Sequence, residues 1–227
     1  PPPPPPPPPQ FDRRRQRQMC IRDRDKDDPF GWFDSIYTDA EGDYTAVFWA
    51  DLEPNPYLLQ WLQSCSFEHP GRTATVVGCG VGDDAEALSE AGYEVTAFDI
   101  SPEAIRLCQQ RYPNSKVDYL VADLFDYPTK WAEHFDLVYE CNTIQVLPGQ
   151  YRTMARDAMI SLLAPGGTIL VSCRSREKGE LEDEIPLPLD KEEIDGFVRC
   201  GLTEESFVAY DDDQDPPVPH FFASYRK

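Results

Sequence analysis

The chain has 227 residues, of which 41% are hydrophobic and 27% charged, enough to bury one substantial core. Lysine and arginine number 21 against 41 aspartates and glutamates, a formal charge of −20, so most of the surface repels phosphate backbones and anionic membranes and no nucleic-acid partner is expected. No run of 18 apolar residues and no charged-then-apolar leader occurs, so neither membrane association nor secretion is expected; the expectation is a cytoplasmic monomer. Seven cysteines without a C-x-x-C pair and three scattered histidines argue against a disulfide scaffold and against a metal site.

In chain order, residues 1–24 open with nine prolines and continue with six arginines, a composition that cannot bury a core. They are read as a disordered or non-native extension. Residues 25–70 form an N-terminal lid and helix segment, in which Pro56 to Ser64 has amphipathic helical spacing. Residues 71–227 form the main domain. There, short β-rich runs alternate with helical stretches, the pattern of a parallel α/β sheet. The predicted strands are Thr73 to Val77, Glu94 to Phe98, Val117 to Val121, Phe135 to Tyr139 and Thr168 to Ser172. Ser101 followed by Pro102 starts one helix. Another carries Tyr151, Met154, Ala155, Ala158, Met159, Leu162 and Leu163 on one stripe and stops at Pro165-Gly166-Gly167. Asp190 with Glu193 forms a capping box for a helix bearing Ile194, Phe197 and Val198. Two apolar runs, Ser206 to Tyr210 and Val218 to Tyr225, flank an acidic turn and read as a terminal hairpin. The tally is seven strands.

The chemistry concentrates where these strands end. Val77-Gly78-Cys79-Gly80-Val81-Gly82-Asp83-Asp84 runs from a strand through a glycine-rich turn into a helix, which lets the backbone approach a ligand closely. Where a dinucleotide fold wants its third small residue, this chain has Asp83, whose carboxylate would repel a pyrophosphate. A nicotinamide-dependent oxidoreductase is disfavoured on that ground. Asp99, at the tip of the second predicted strand and 21 residues after Gly78, can accept hydrogen bonds from both ribose hydroxyls. Asp123 can reach an adenine amino group while Leu124 packs on the ring. Together these strand ends outline an adenosine with a short amino-acid tail.

In the pieces VVGCGVGDDAEAL, VTAFDIS, VADLF, FDLVYE and LLAPGG, taken in order, the chain resembles the class I S-adenosylmethionine-dependent methyltransferases over about residues 45 to 227. The resemblance implies a Rossmann-like three-layer α/β sandwich with a seven-stranded, mostly parallel sheet and an antiparallel last strand. It implies S-adenosyl-L-methionine as cofactor, with Gly78, Cys79, Gly80 and Gly82 at the methionyl end, Asp99 and Ile100 at the ribose, Asp123 and Leu124 at the adenine, and Glu140 near the methionine amino group. A narrower likeness, to the thiopurine S-methyltransferase-like branch, rests on Phe48-Trp49-Ala50-Asp51-Leu52-Glu53-Pro54 and on Ile144-Gln145-Val146-Leu147-Pro148. It implies that Trp49 closes over the cofactor. The expected partner is a small-molecule methyl acceptor, a thiol or other soft nucleophile, for which alignment and exclusion of water outweigh proton shuttling. An oxygen or nitrogen acceptor would need a base, for which Glu140, Asp51 and Tyr151 are the candidates. The alternatives are a non-catalytic cofactor-binding protein of the same fold and a methyltransferase for a protein acceptor.

Overall fold

The computed structural model describes residues 30–65, 71–147, 149–180 and 187–227. The extension read at residues 1–24 and the predicted segment end at Pro148 lie outside them. β-Branched and aromatic runs form seven strands, β1 (Thr73–Val77), β2 (Glu94–Asp99), β3 (Asp118–Val121), β4 (Phe135–Cys141), β5 (Leu163–Arg174), β6 (Thr203–Asp211) and β7 (Pro219–Arg226). They make one sheet in the order β3-β2-β1-β4-β5-β7-β6. β1 to β5 pair in parallel, and β7 runs antiparallel to both β5 and β6. The order reverses beside β1, where the chain leaves β1 for β2 on one side and later returns to β4 on the other. At such a switch point a crevice opens outside the carboxyl ends of the strands.

The helices are α1 (Gly31–Asp39), α2 (Pro56–Ser64), α3 (Asp83–Glu90), α4 (Pro102–Arg111), α5 (Gln150–Leu162) and two single turns, α6 (Lys191–Ile194) and α7 (Gly196–Arg199). One face of the sheet buries Val77, Phe98, Val138, Val171 and Phe221 against Ala155, Met159 and Leu162 of α5. The other buries Val76, Ala97, Tyr139, Leu170 and Phe222 against Leu58 of α2, Leu88 of α3 and Ile105 of α4. Each strand alternates between these faces, as a sheet covered on both sides requires. The Ser101 hydroxyl caps α4 by accepting from Ala104 N, and the Asp190–Glu193 capping box forms as the sequence predicts. No described helix is long and apolar enough to cross a membrane.

Four local expectations give way. The Pro165-Gly166-Gly167 stop lies inside β5: the helix ends at Leu162, Leu163 pairs with Phe135, Thr168 pairs with Leu137, and the residues between are the surplus at a register shift. Met154 and Val198 are exposed, since neither faces the sheet; Arg152 is buried instead. The helix expected after Asp190 breaks into two turns at Asp195. In the N-terminal segment, α1 is an additional helix. Its Trp32 and Tyr37 are buried, and Tyr37 joins Val47, Val81, Ala104 and Leu107 in a small core laid over the glycine turn.

Candidate active site

The carboxyl edge of the sheet is built first from backbone. After β1 the chain turns through Gly78, Gly80 and Gly82 at φ of +62°, +56° and +95°. Glycine is required most at 82, where φ is far outside the range of other residues and a Cβ would lie 2.6 Å from the Tyr119 hydroxyl. The turn is pinned by Cys79 N donating to Phe98 O at 3.0 Å. It is pinned again by Asp99, whose Oδ2 accepts from Gly80 N at 3.1 Å while Oδ1 accepts from Ser101 N at 3.0 Å. Burial pushes the Asp99 carboxyl up to about 6, and the two backbone donors pull against that shift. Its oxygens keep lone pairs for further donors, since each carboxylate oxygen accepts more than one hydrogen bond.

Glu140, near the end of β4, is fully buried. Its Oε2 accepts from the backbone of Thr143 at 3.0 Å and Ile144 at 3.2 Å, while Oε1 has no partner among the described residues. Burial raises this carboxyl to about 8. Two residues on, Asn142 holds φ at +62° and its Oδ1 is likewise buried and unpartnered among the described residues. Two acceptor oxygens without donors at one strand end form a place where a cationic, hydrogen-bond-donating group is stabilised. Asn142 escaped the sequence analysis; the signal was an asparagine just past a strand, one of the few residues that adopt the left-handed conformation.

The N-terminal segment packs against this edge. Tyr37 of α1 lies over Gly80, and its hydroxyl accepts from Trp49 Nε1 at 3.2 Å. Asp34 Oδ1 accepts from the Ser101 hydroxyl at 2.6 Å, which fastens α1 to the start of α4. Asp123 Oδ1 caps its own turn by accepting from Phe125 N at 2.8 Å; Leu124 is buried, whereas Ile100 is exposed. The three base candidates stand in different surroundings. Glu140 faces the backbone that follows it, Tyr151 packs against Phe30 and Phe125, and the exposed Asp51 acts electrostatically on Asp84 and His220. Burial pushes the Cys141 thiol up, away from a thiolate role.

The acidic pair after the turn behaves otherwise than the sequence suggests. Asp83 is held by both arms of Arg111, at 2.6 and 2.7 Å, and Asp84 accepts from Asn55 N at 2.7 Å and from the Tyr139 hydroxyl at 3.0 Å. The Asp83 charge is therefore compensated, and its expected repulsion of a pyrophosphate does not stand as an argument. The site fits an adenosyl amino acid on other grounds: a glycine cradle, a carboxylate at the second strand tip, and donor-less oxygens at the end of β4.

The fold is that of the Rossmann-like methyltransferases, and the glycine turn, Asp99 and Glu140 stand at its strand ends as in the class I S-adenosylmethionine-dependent members that the sequence resembles. Residues 75–167 match the family described as "Methyltransferase domain". Among curated proteins the chain is similar to the ubiquinone biosynthesis O-methyltransferases of Bordetella avium, 28% identical over 124 residues, and of Xanthomonas axonopodis pv. citri, 32% identical over 124 residues. Each alignment covers 54% of this chain and 51% of the relative, so the chain spans about half the length of the curated relatives it matches. In fold it is similar to the N-methyltransferase NodS of Bradyrhizobium japonicum in complex with S-adenosyl-L-homocysteine, with TM-score 0.66, 22% identity, and coverage of 86% of this chain and 99% of that one. It is also similar to the 1,6-didemethyltoxoflavin-N1-methyltransferase of Burkholderia thailandensis, with TM-score 0.67, 17% identity, and coverage of 86% and 89%.

Proposed function

We propose that this protein binds S-adenosyl-L-methionine and transfers its methyl group to a small-molecule acceptor, as a cytoplasmic monomer without a nucleic-acid partner. The observation that carries the proposal is the joining of the glycine turn to Asp99 through Gly80 N, beside the donor-less Glu140 Oε1. When bound, the cofactor supplies a methyl on a sulfonium whose positive charge vanishes on transfer. Asp99 would hold the ribose hydroxyls, with Ile100 beside it; Asp123 and Leu124 would hold the adenine. Gly78, Cys79, Gly80 and Gly82 would bring backbone close to the methionyl tail, and Glu140 Oε1 with Asn142 Oδ1 would accept from its ammonium. Tyr37 and Trp49 would close the site against water, so that the acceptor meets the methyl in line.

Two acceptor chemistries are supported by different observations. A thiol, as in the thiopurine S-methyltransferase-like branch, is supported by the likeness at residues 48–54, and its thiolate needs no base. A hydroxyl is supported by the relatives named O-methyltransferases. Calorimetric titration with S-adenosyl-L-homocysteine tests cofactor binding: micromolar affinity is expected, weakened by about 2 kcal/mol in Asp99→Ala. A folded sample that binds none of it removes the proposal. Turnover of a panel of thiols and phenols then assigns the acceptor, and cofactor affinity with no turnover on the whole panel would favour a non-catalytic binder.

A further inference from the structure

The two sides of the proposed tail site come from distant parts of the chain. The glycine turn follows β1, Glu140 belongs to β4, and the pairing of these strands ends at Val77 and Glu140 themselves. Past that level, Thr143 stands between the loop and the turn, half-buried. Its backbone N donates to Glu140 Oε2 at 3.0 Å, and its hydroxyl donates at 3.0 Å to Val77 O, the carbonyl just before the turn. Its side chain also occupies the space that a side chain at residue 78 would take. A Cβ on Gly78 would lie 2.6 Å from Thr143 Oγ1 and 3.1 Å from its Cγ2, a second reason for glycine there beside the φ of +62°.

The rest of the loop is tied elsewhere. Asn142 N donates to Ser172 O of β5 at 2.8 Å, Gln145 Oε1 accepts from Arg174 N at 2.6 Å, and Gln145 O accepts from Leu187 N at 2.7 Å. These bonds lead toward β5 and Leu187 rather than to the glycine turn, so the Thr143 side chain is what holds the loop to the turn. Its β-branching leaves few rotamers, which keeps the hydroxyl in place. Resting on the reading in which the cofactor's ammonium meets Glu140 Oε1 and Asn142 Oδ1, we infer that Thr143 is a positioning residue for the amino-acid tail of S-adenosyl-L-methionine. It acts through Val77 and Gly78 on one side and Glu140 on the other, and sets the spacing between the glycine cradle and the donor-less oxygens. A misplacement of either by a fraction of an ångström loosens the tail. The nucleoside end depends instead on Asp99, which is fixed by Gly80 N and Ser101 N. Loss of the Thr143 hydroxyl therefore weakens ligands that carry the tail and spares those that carry the nucleoside alone.

The test titrates the full chain calorimetrically with S-adenosyl-L-homocysteine, which has the tail, and with 5′-methylthioadenosine, which lacks it. Thr143→Val keeps the branched shape and removes the donor, whereas Thr143→Ser keeps the donor. Thr143→Val is expected to lose about tenfold in affinity for S-adenosyl-L-homocysteine with unchanged affinity for 5′-methylthioadenosine, and Thr143→Ser to stay within about twofold of wild type on both. Equal weakening of the two ligands, a serine variant as poor as the valine one, or an unchanged affinity for S-adenosyl-L-homocysteine in Thr143→Val would each overturn the proposal. Failure of wild type to bind S-adenosyl-L-homocysteine would instead remove the underlying reading of the site. If Thr143→Val does not fold, amide NMR of wild type decides. S-adenosyl-L-homocysteine should then shift the Thr143 and Gly78 signals together while 5′-methylthioadenosine leaves Thr143 in place; a Thr143 signal moved equally by both, or by neither, sinks the assignment.

Discussion

The sheet has two ends that solve the same problem differently. In the parallel half, β2-β1-β4, the carboxylates Asp99 and Glu140 are held by backbone N–H groups a few residues away in sequence or one strand away in space. In the half formed by β5, β7 and β6, Arg174, His220 and Tyr210 meet only because β7 inserts antiparallel between two strands that precede it in the chain. A loop-and-strand-tip site is written locally and tolerates little change in backbone. A cross-strand cluster is written in pairing register, and its side chains come together only when distant strands pair.

The parallel half should therefore be the more sensitive to single changes. The largest effect is expected from pH. Glu140 is raised to about 8, and Asp84 and Asp99 to about 6, so each favours the protonated form in the fold. The stability this contributes is fully present below their unfolded values near pH 4 and is lost as pH rises through the folded values. Urea denaturation at pH 5 and pH 8 should show this loss in the ligand-free protein. Glu140→Gln should recover about 4 kcal/mol of it at pH 8. An unchanged pH slope in that variant would mean the carboxyl is not buried as described.

Gly82→Ala comes next. It forces a Cβ to 2.6 Å from the Tyr119 hydroxyl at φ +95° and should cost about 3 kcal/mol, read in the same denaturation assay. Asn55→Ala probes the seam between the two halves. Asn55 caps α2 by accepting from Tyr57 N and Leu58 N, and its amide donates to Ser172 Oγ of β5 at 3.0 Å. About 2 kcal/mol should be lost, and a smaller effect than at Gly82 would support the ranking of the halves. Finally, if an ammonium sits on Glu140 Oε1, binding releases the proton of a carboxyl that titrates near 8. Affinity for S-adenosyl-L-homocysteine should then rise with pH from 6 to 8, by up to about 1.4 kcal/mol per unit, and Glu140→Gln should flatten that dependence.

Particular residues mark how far sequence reasoning reached. Asp99 was legible because its place depends on one strand, one turn and a fixed offset from Gly78. β1 and the helix Pro56–Ser64 were legible to the residue, since apolar periodicity and a proline at the first helical turn mark them. Asp83 was misread for the opposite reason: its partner Arg111 lies 28 residues away on another helix, so its net charge at the site is a tertiary property. Met154 looked like core because it lies on the apolar stripe of α5, yet it is exposed while Ala155 and Met159 on the same stripe are buried.

What the amino-acid order determined alone was the alternation of strands and helices, the glycine turn with its left-handed positions, and the carboxylates at three strand tips. These follow from periods of two and 3.6 residues and from local backbone sterics, which act over a few neighbouring positions. Folding in three dimensions decided which carboxylates are neutralised, which oxygens are left without donors, and how α1 lies over Gly80. Those are matters of burial and of pairing between distant segments, and both exist only once the chain has packed.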